Sequence, residues 1–267
     1  MSDPRALVLR TSGTNCEHET AEALELAGAK ADIARTEPLF AEPARLDDYQ
    51  IVVMAGGFSY GDDLGAGRVW GFQVRRNVGP ALRSFVDRGG LVLGICNGFQ
   101  VLVESGIFEP DASAEERSVA LYGNASNHYE CRWTTLEGQD CICPWVEPGE
   151  HMPTPLAHAE GRFVVRDDAT YQRLVQNRQI AFRYVDPDGQ AGADELPYPM
   201  NPNGSRASIA GICDPTGRVL GMMPHPERNV RPWQHPTWSR KGSRPEGEGL
   251  AFYRRMVEYA AAATSHV

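Results

Sequence analysis

The chain has 267 residues, 42% of them hydrophobic and 23% charged, a composition that supports a packed globular core and excludes a disordered polypeptide. Its formal net charge of −9 argues against a duplex nucleic-acid binder, and no apolar run nears the roughly 20 residues that span a bilayer. Six scattered cysteines do not make a disulfide scaffold, and the start lacks a basic stretch leading into a long apolar one, so one domain, residues 1–267, in a reducing cytoplasm is expected.

The run ALVLR at residues 6–10 reads as a buried strand, and the turn TSGTN follows it. Next, CEHETAEALELAGA carries acidic residues in its first turn and Gly28 near its end, the charge placement and stop signal of a helix. The same β–α rhythm returns in IVVMAGG at 51–57, a glycine-rich loop, and a helix through VWGFQVRRNVGPALRSFVDRGG. It returns again in LVLGIC followed by NGFQVLVESG. Such alternation predicts an α/β fold with an open, mostly parallel sheet, helices on both faces and ligands at the carboxyl ends of the strands.

After about Asp111 the pattern changes: HYECRWTTL, GRFVVR, IAFRYV, ASIAGICD and RVLGMM read as strands with few helices between them, which predicts antiparallel additions. Prolines and glycines mark 137–161 and 228–249 as irregular, and GLAFYRRMVEYAAAATSHV predicts a closing helix with a frayed tail. Cys141 and Cys143 are one residue apart, precede Pro144 and lack the second pair a zinc site needs, so no metal is expected.

In LVLGICNGFQ a cysteine sits where strand hands over to helix, between Gly94 and Gly98. Flanking glycines permit a tight turn that lifts the thiol off the sheet, and the N-terminal end of the following helix favours thiolate. Cys96 is therefore the candidate nucleophile, and the backbone N–H of Asn97 the first oxyanion donor. Cys16 also follows a strand but has no glycine elbow.

A nucleophilic thiol needs a base. His18 falls in the first helix, His151, His158 and His235 in polar loops, and His266 in the tail. His225 differs, because MMPHPER places it just beyond a short apolar strand, at the sheet edge where a strand-end nucleophile is displayed. Pro224 and Pro226 bias the backbone to extended form, so Glu227, two residues on, is expected to point the same way and orient the imidazole.

With these residues the sequence resembles the class I glutamine amidotransferases, which carry a Cys-His-Glu triad on a flavodoxin-like sheet. The resemblance rests on GGFSYGDDL, GICNGFQVL, HAEGRF, NPNGS and GMMPHPER, and it runs over nearly the whole chain. Within the class it points to the glutaminase subunits of de novo purine synthesis. It implies Cys96 as nucleophile, His225 as base and then acid, and Glu227 as the residue that orients it. It also implies that Gly57 or Phe58 joins Asn97 in the oxyanion hole, that Gln100 helps hold glutamine, and that Asn124 or Asn127 lies near the substrate. No cofactor is implied in this chain; ammonia passes to a separate synthetase subunit, with or without a small third subunit, which uses ATP and Mg²⁺ to convert formylglycinamide ribonucleotide to the amidine.

Two rival readings accompany it. A cysteine hydrolase of esterase or peptidase type would use the same elbow and histidine, and a non-catalytic regulatory subunit would keep the fold without the chemistry.

Overall fold

The computed structural model describes residues 3–113, 115–186, 195–240, 242 and 244–264; the expected frayed tail, with His266, lies outside them. Five strands, β1 (Arg5–Arg10), β2 (Lys30–Arg35), β3 (Ile51–Met54), β4 (Leu91–Ile95) and β11 (Val219–Met222), run parallel in the order β2-β1-β3-β4-β11. Every residue of β3, β4 and β11 is buried, which is why their sequences are unbroken apolar runs rather than alternating ones. Helices α1 (Glu17–Leu26), α3 (Arg68–Asp87), α4 (Asn97–Ser105) and α6 (Gly249–Thr264) cover the sheet. Trp70, Val74, Val78, Leu82 and Phe85 form the buried stripe of α3 at helical spacing.

Beyond β11 the same sheet continues antiparallel through β10 (Ile209–Cys213), β9 (Ile180–Val185), β6 (Glu130–Gly138) and β7 (His151–His158), for nine strands among the described residues. The expected antiparallel additions are therefore present. β5 (Val119–Tyr122) and β8 (Arg162–Val165) pair separately, and short helices α2 (Thr36–Ala41) and α5 (Asp168–Gln176) fill connections. Among the described residues no helix is long and apolar enough to cross a membrane.

Three strands depart from the sequence expectation; one is β5, four residues long and outside the predicted strands. Residues 151–158, expected to be irregular for their prolines, form β7, in which Pro153 and Pro155 lie opposite Thr135 and Trp133. β7 is the edge of the sheet, where a residue without an N–H removes no bond from a second neighbour. β2, at the opposite edge, has the polar sequence KADIAR and is mostly half-buried or exposed, so it carries no apolar run to announce it.

The register of β4 on β11 sets the site. Gly94 lies opposite Gly221 and Ile95 opposite Met222, and the Cys96 N–H donates to the Met222 carbonyl at 2.8 Å. The residues that follow each strand thus leave the sheet side by side. Gly98 lets α4 approach that edge: a Cβ there would sit 1.8 Å from the Met54 carbonyl oxygen of β3. Gly98→Ala is expected to destabilise the fold by about 3 kcal/mol or more, since backbone rather than a flexible side chain must move. Urea unfolding measures this, and a midpoint equal to wild type would refute the packing described.

Candidate active site

Cys96 joins β4 to α4 with φ 52° and ψ −108°, a conformation that costs an L-residue energy and is held by the structure on both sides. The strain of the turn sits on the cysteine itself. Gly94 and Gly98 are needed for close packing; a Cβ at Gly94 would meet the Gly98 carbonyl oxygen at 2.6 Å. The thiol is 5% exposed, stands at the helix N-terminus and lies 3.7 Å from the Ala157 carbonyl.

His225 leaves β11 through Met223 and Pro224, and its N–H donates to the Pro155 carbonyl at 2.8 Å, fastening it to β7. Its Nδ1 is 2.6 Å from Glu227 Oε1, with side-chain exposures of 2% and 0%. Glu227 reaches the ring on a backbone other than the extended one expected: Pro226–Asn229 is a single 3-10 turn. The two flanking prolines suit this equally, since Pro226 occupies a first-turn position that needs no N–H. Burial opposes charge on the imidazole, yet the Glu227 carboxylate, the charge on Cys96, and hydrogen bonds with Cys16 and Cys96 raise His225 well above the ordinary imidazole range. The ring is poised as an imidazolium beside the Cys96 sulfur, with its Nδ1–H donated to Glu227.

The glycine-rich loop after β3 faces the elbow. Gly57 has φ 149°, and a Cβ there would lie 2.6 Å from Thr14 Cα, so the loop passes flush against the turn after β1. The Phe58 N–H is already donated to the Gly13 carbonyl at 2.9 Å, which leaves the Gly57 amide as the one of the two suited to an oxyanion. Asn97 ties loop to elbow: its Oδ1 accepts from Ser59 N–H at 3.1 Å, and its Nδ2 donates to Asp62 Oδ1 at 3.1 Å and Gln100 Oε1 at 3.0 Å. The Gln100 Nε2 in turn donates to the Glu160 carbonyl. A cavity of about 150 Å³ results, lined by Gly57, Phe58, Asp62, Ala66, Cys96, Gln100 and residues 157–160. It is smaller than the roughly 300–1,000 Å³ of drug-sized sites and suits a compact substrate.

Two features were not legible as site residues. His158, expected in a polar loop, ends β7 and lines the cavity. Burial, with the nearby charge of His225, pushes it down to about 3, so it is neutral. Its Nδ1 lies 3.1 Å from Asn124 Oδ1, and Asn124 Nδ2 donates to the carbonyls of His128 and His158. Asn124 thus acts by fixing this wall, while Asn127 is exposed in the adjoining turn. Asp62 and Glu160 bring carboxylates to the same cavity.

Cys16, the alternative strand-end cysteine, is buried, with Arg228 Nη2 at 3.1 Å from its Sγ. Burial raises it, so it stays a thiol at neutral pH. Ligand atoms of Cys16, His225 and Glu227 lie within 4.8 Å of one another, a spacing that could hold a small metal ion, although the 2.6 Å His225–Glu227 bond already engages Nδ1. Cys141 and Cys143 belong to no metal-compatible group among the described residues.

Residues 3–260 match the model of the CobB/CobQ-like glutamine amidotransferase domain. Phosphoribosylformylglycinamidine synthase subunit PurQ of Methanococcus maripaludis is 44% identical across 89% of this chain and 88% of its own length. The PurQ subunit of Dehalococcoides mccartyi is 41% identical across 97% and 99%. Among solved structures, PurLQS from Thermotoga maritima superposes with a TM-score of 0.69 at 30% identity over 97% of this chain and 99% of that one.

Proposed function

Because this chain belongs to the PurQ family of CobB/CobQ-like glutamine amidotransferases, we propose that it is the glutaminase subunit of a phosphoribosylformylglycinamidine synthase, supplying ammonia to a synthetase subunit. The observation that carries this reading is the strained Cys96 elbow set, by the β4–β11 register, beside a buried His225–Glu227 pair.

The Cys96 thiolate attacks the side-chain carbonyl carbon of glutamine, and the carbonyl π electrons move onto oxygen. Backbone N–H groups of Asn97 and Gly57 receive that oxyanion; in other enzymes one such donor contributes about 3–4 kcal/mol. As the intermediate collapses, the C–N bond breaks and the imidazolium of His225 gives its proton to the departing nitrogen, which leaves as ammonia. The now neutral imidazole takes a proton from water, whose oxygen attacks the thioester and releases glutamate and Cys96. Glu227 holds the ring in one orientation throughout and stabilises its charge. Asn97 and Gln100 act by bracing the loop and wall through the bonds described, so Gln100 serves the substrate chiefly by placing Glu160.

The chain's own chemistry requires no metal or organic cofactor; ATP and Mg²⁺ belong to the synthetase partner, which acts with or without a small third subunit. The six thiols are all free, which suits the reducing cytoplasm where purine synthesis would place it. Mixing the chain with its synthetase, ATP, Mg²⁺, ribonucleotide and glutamine is expected to give glutamate and amidine in equal amounts. Turnover of simple esters or peptides without ammonia release would favour the hydrolase reading, and assembly without any glutamate would favour the regulatory one.

A further inference from the structure

A glutamine whose carboxamide reaches Cys96 carries an ammonium and a carboxylate at its other end. Two acidic side chains line the cavity that holds the thiol: Asp62, from the loop after β3, and Glu160, two residues beyond the end of β7. Their bonds within the protein are to neutral donors. Asp62 Oδ1 accepts from Asn97 Nδ2 at 3.1 Å and from the Gly67 N–H at 3.4 Å, and Glu160 Oε2 accepts from the Ala66 N–H at 3.3 Å.

Among the described residues neither carboxylate forms an ion pair, and no Lys or Arg lines the cavity. The one imidazole in the lining, His158, is neutral. Two half-buried carboxylates near each other are unfavourable without a cation between them. Asp62 shows the cost: burial first, then the charge of Glu160, raise it above the usual carboxylate range.

We propose that Asp62 and Glu160 are the binding site for the α-ammonium group of glutamine, so that the pocket selects the amino acid over carboxamides that lack the amine. The elbow itself builds this clamp. Asn97 Nδ2 bonds Asp62 and Gln100, and Gln100 Nε2 bonds the Glu160 carbonyl, so both carboxylates are positioned from the first turn of the helix that presents Cys96. The distance between ammonium and carboxamide is thereby referred to one rigid element.

The assignment rests on the glutaminase reading, and its test separates the two. Glu160→Gln and Asp62→Asn each keep an oxygen to accept the existing backbone bond while removing the charge. In the reconstituted complex, ammonia release is measured from glutamine and from 4-carbamoylbutanoate, which is glutamine without its amine. Each variant is expected to lose about 10- to 100-fold in kcat/KM on glutamine, mostly as raised KM, the size expected for a charge-assisted hydrogen bond. On 4-carbamoylbutanoate each variant should lose far less than on glutamine, and the retained turnover also shows that it is folded. Equal losses on both substrates, or no loss on glutamine while wild type remains a Cys96-dependent glutaminase, would overturn the clamp alone. A wild-type complex that releases no ammonia from glutamine would overturn the glutaminase reading and the clamp with it.

Discussion

Cys96→Ala is expected to lower glutamine-dependent amidine synthesis by about 10⁴-fold or more while synthesis from added ammonium salt continues, because the proposed mechanism needs the thiol only to liberate ammonia. Alanine removes the sulfur and leaves the helix, the oxyanion amides and the packing around Met222 in place. The residual rate should reflect binding and oxyanion stabilisation without a nucleophile. The measurement is amidine formation by the reconstituted complex with either nitrogen source. Loss of both activities in a complex that still assembles would contradict the division of labour between subunits.

Glu227→Gln is expected to lower glutaminase turnover by about 10²- to 10⁴-fold, the range for a misdirected acid–base group. It should also reshape the pH profile. The carboxylate is the leading influence raising His225, so its removal lowers the folded value of the imidazole, and the imidazolium needed to protonate departing ammonia is lost at lower pH. The alkaline limb of kcat/KM therefore moves toward neutrality. The linked effect on stability has a definite sign. A raised histidine contributes fully below its unfolded value of about 6.5 and fades as pH rises through its folded value. The wild-type advantage over the variant in urea should accordingly be largest in mild acid. An unchanged alkaline limb would mean that Glu227 does not control the charge of the ring.

What the sequence disclosed follows from which signals are local. IVVM, LVLGI and VLGM are buried on both faces, so their apolar runs named three central strands directly, and the elbow and MMPHPER motifs flank two of them. The edges were hidden: KADIAR has no apolar face to show, and HMPTPLAH is a strand despite prolines that only an edge tolerates. His158, Asp62 and Glu160 were missed for another reason. Each acquires its role from partners distant in sequence, as when Asn124 fixes His158 or Asn97 reaches Asp62, and composition carries no trace of such meetings. The choice between Gly57 and Phe58 likewise turned on a single bond, from the Phe58 N–H to Gly13, formed only after β1 and β3 are side by side.

Among the described residues β11 is the last strand, yet it is inserted between β4 and β10, and no other strand there links the parallel half of the sheet to the antiparallel half. A nascent polypeptide emerging from the ribosome therefore displays its reactive sulfur long before the keystone that closes the sheet, and with it the imidazole, has been made. On the proposed mechanism the ability to split an abundant metabolite arrives only at the end of translation, and prematurely terminated fragments are expected to be inert toward the cell's nitrogen store.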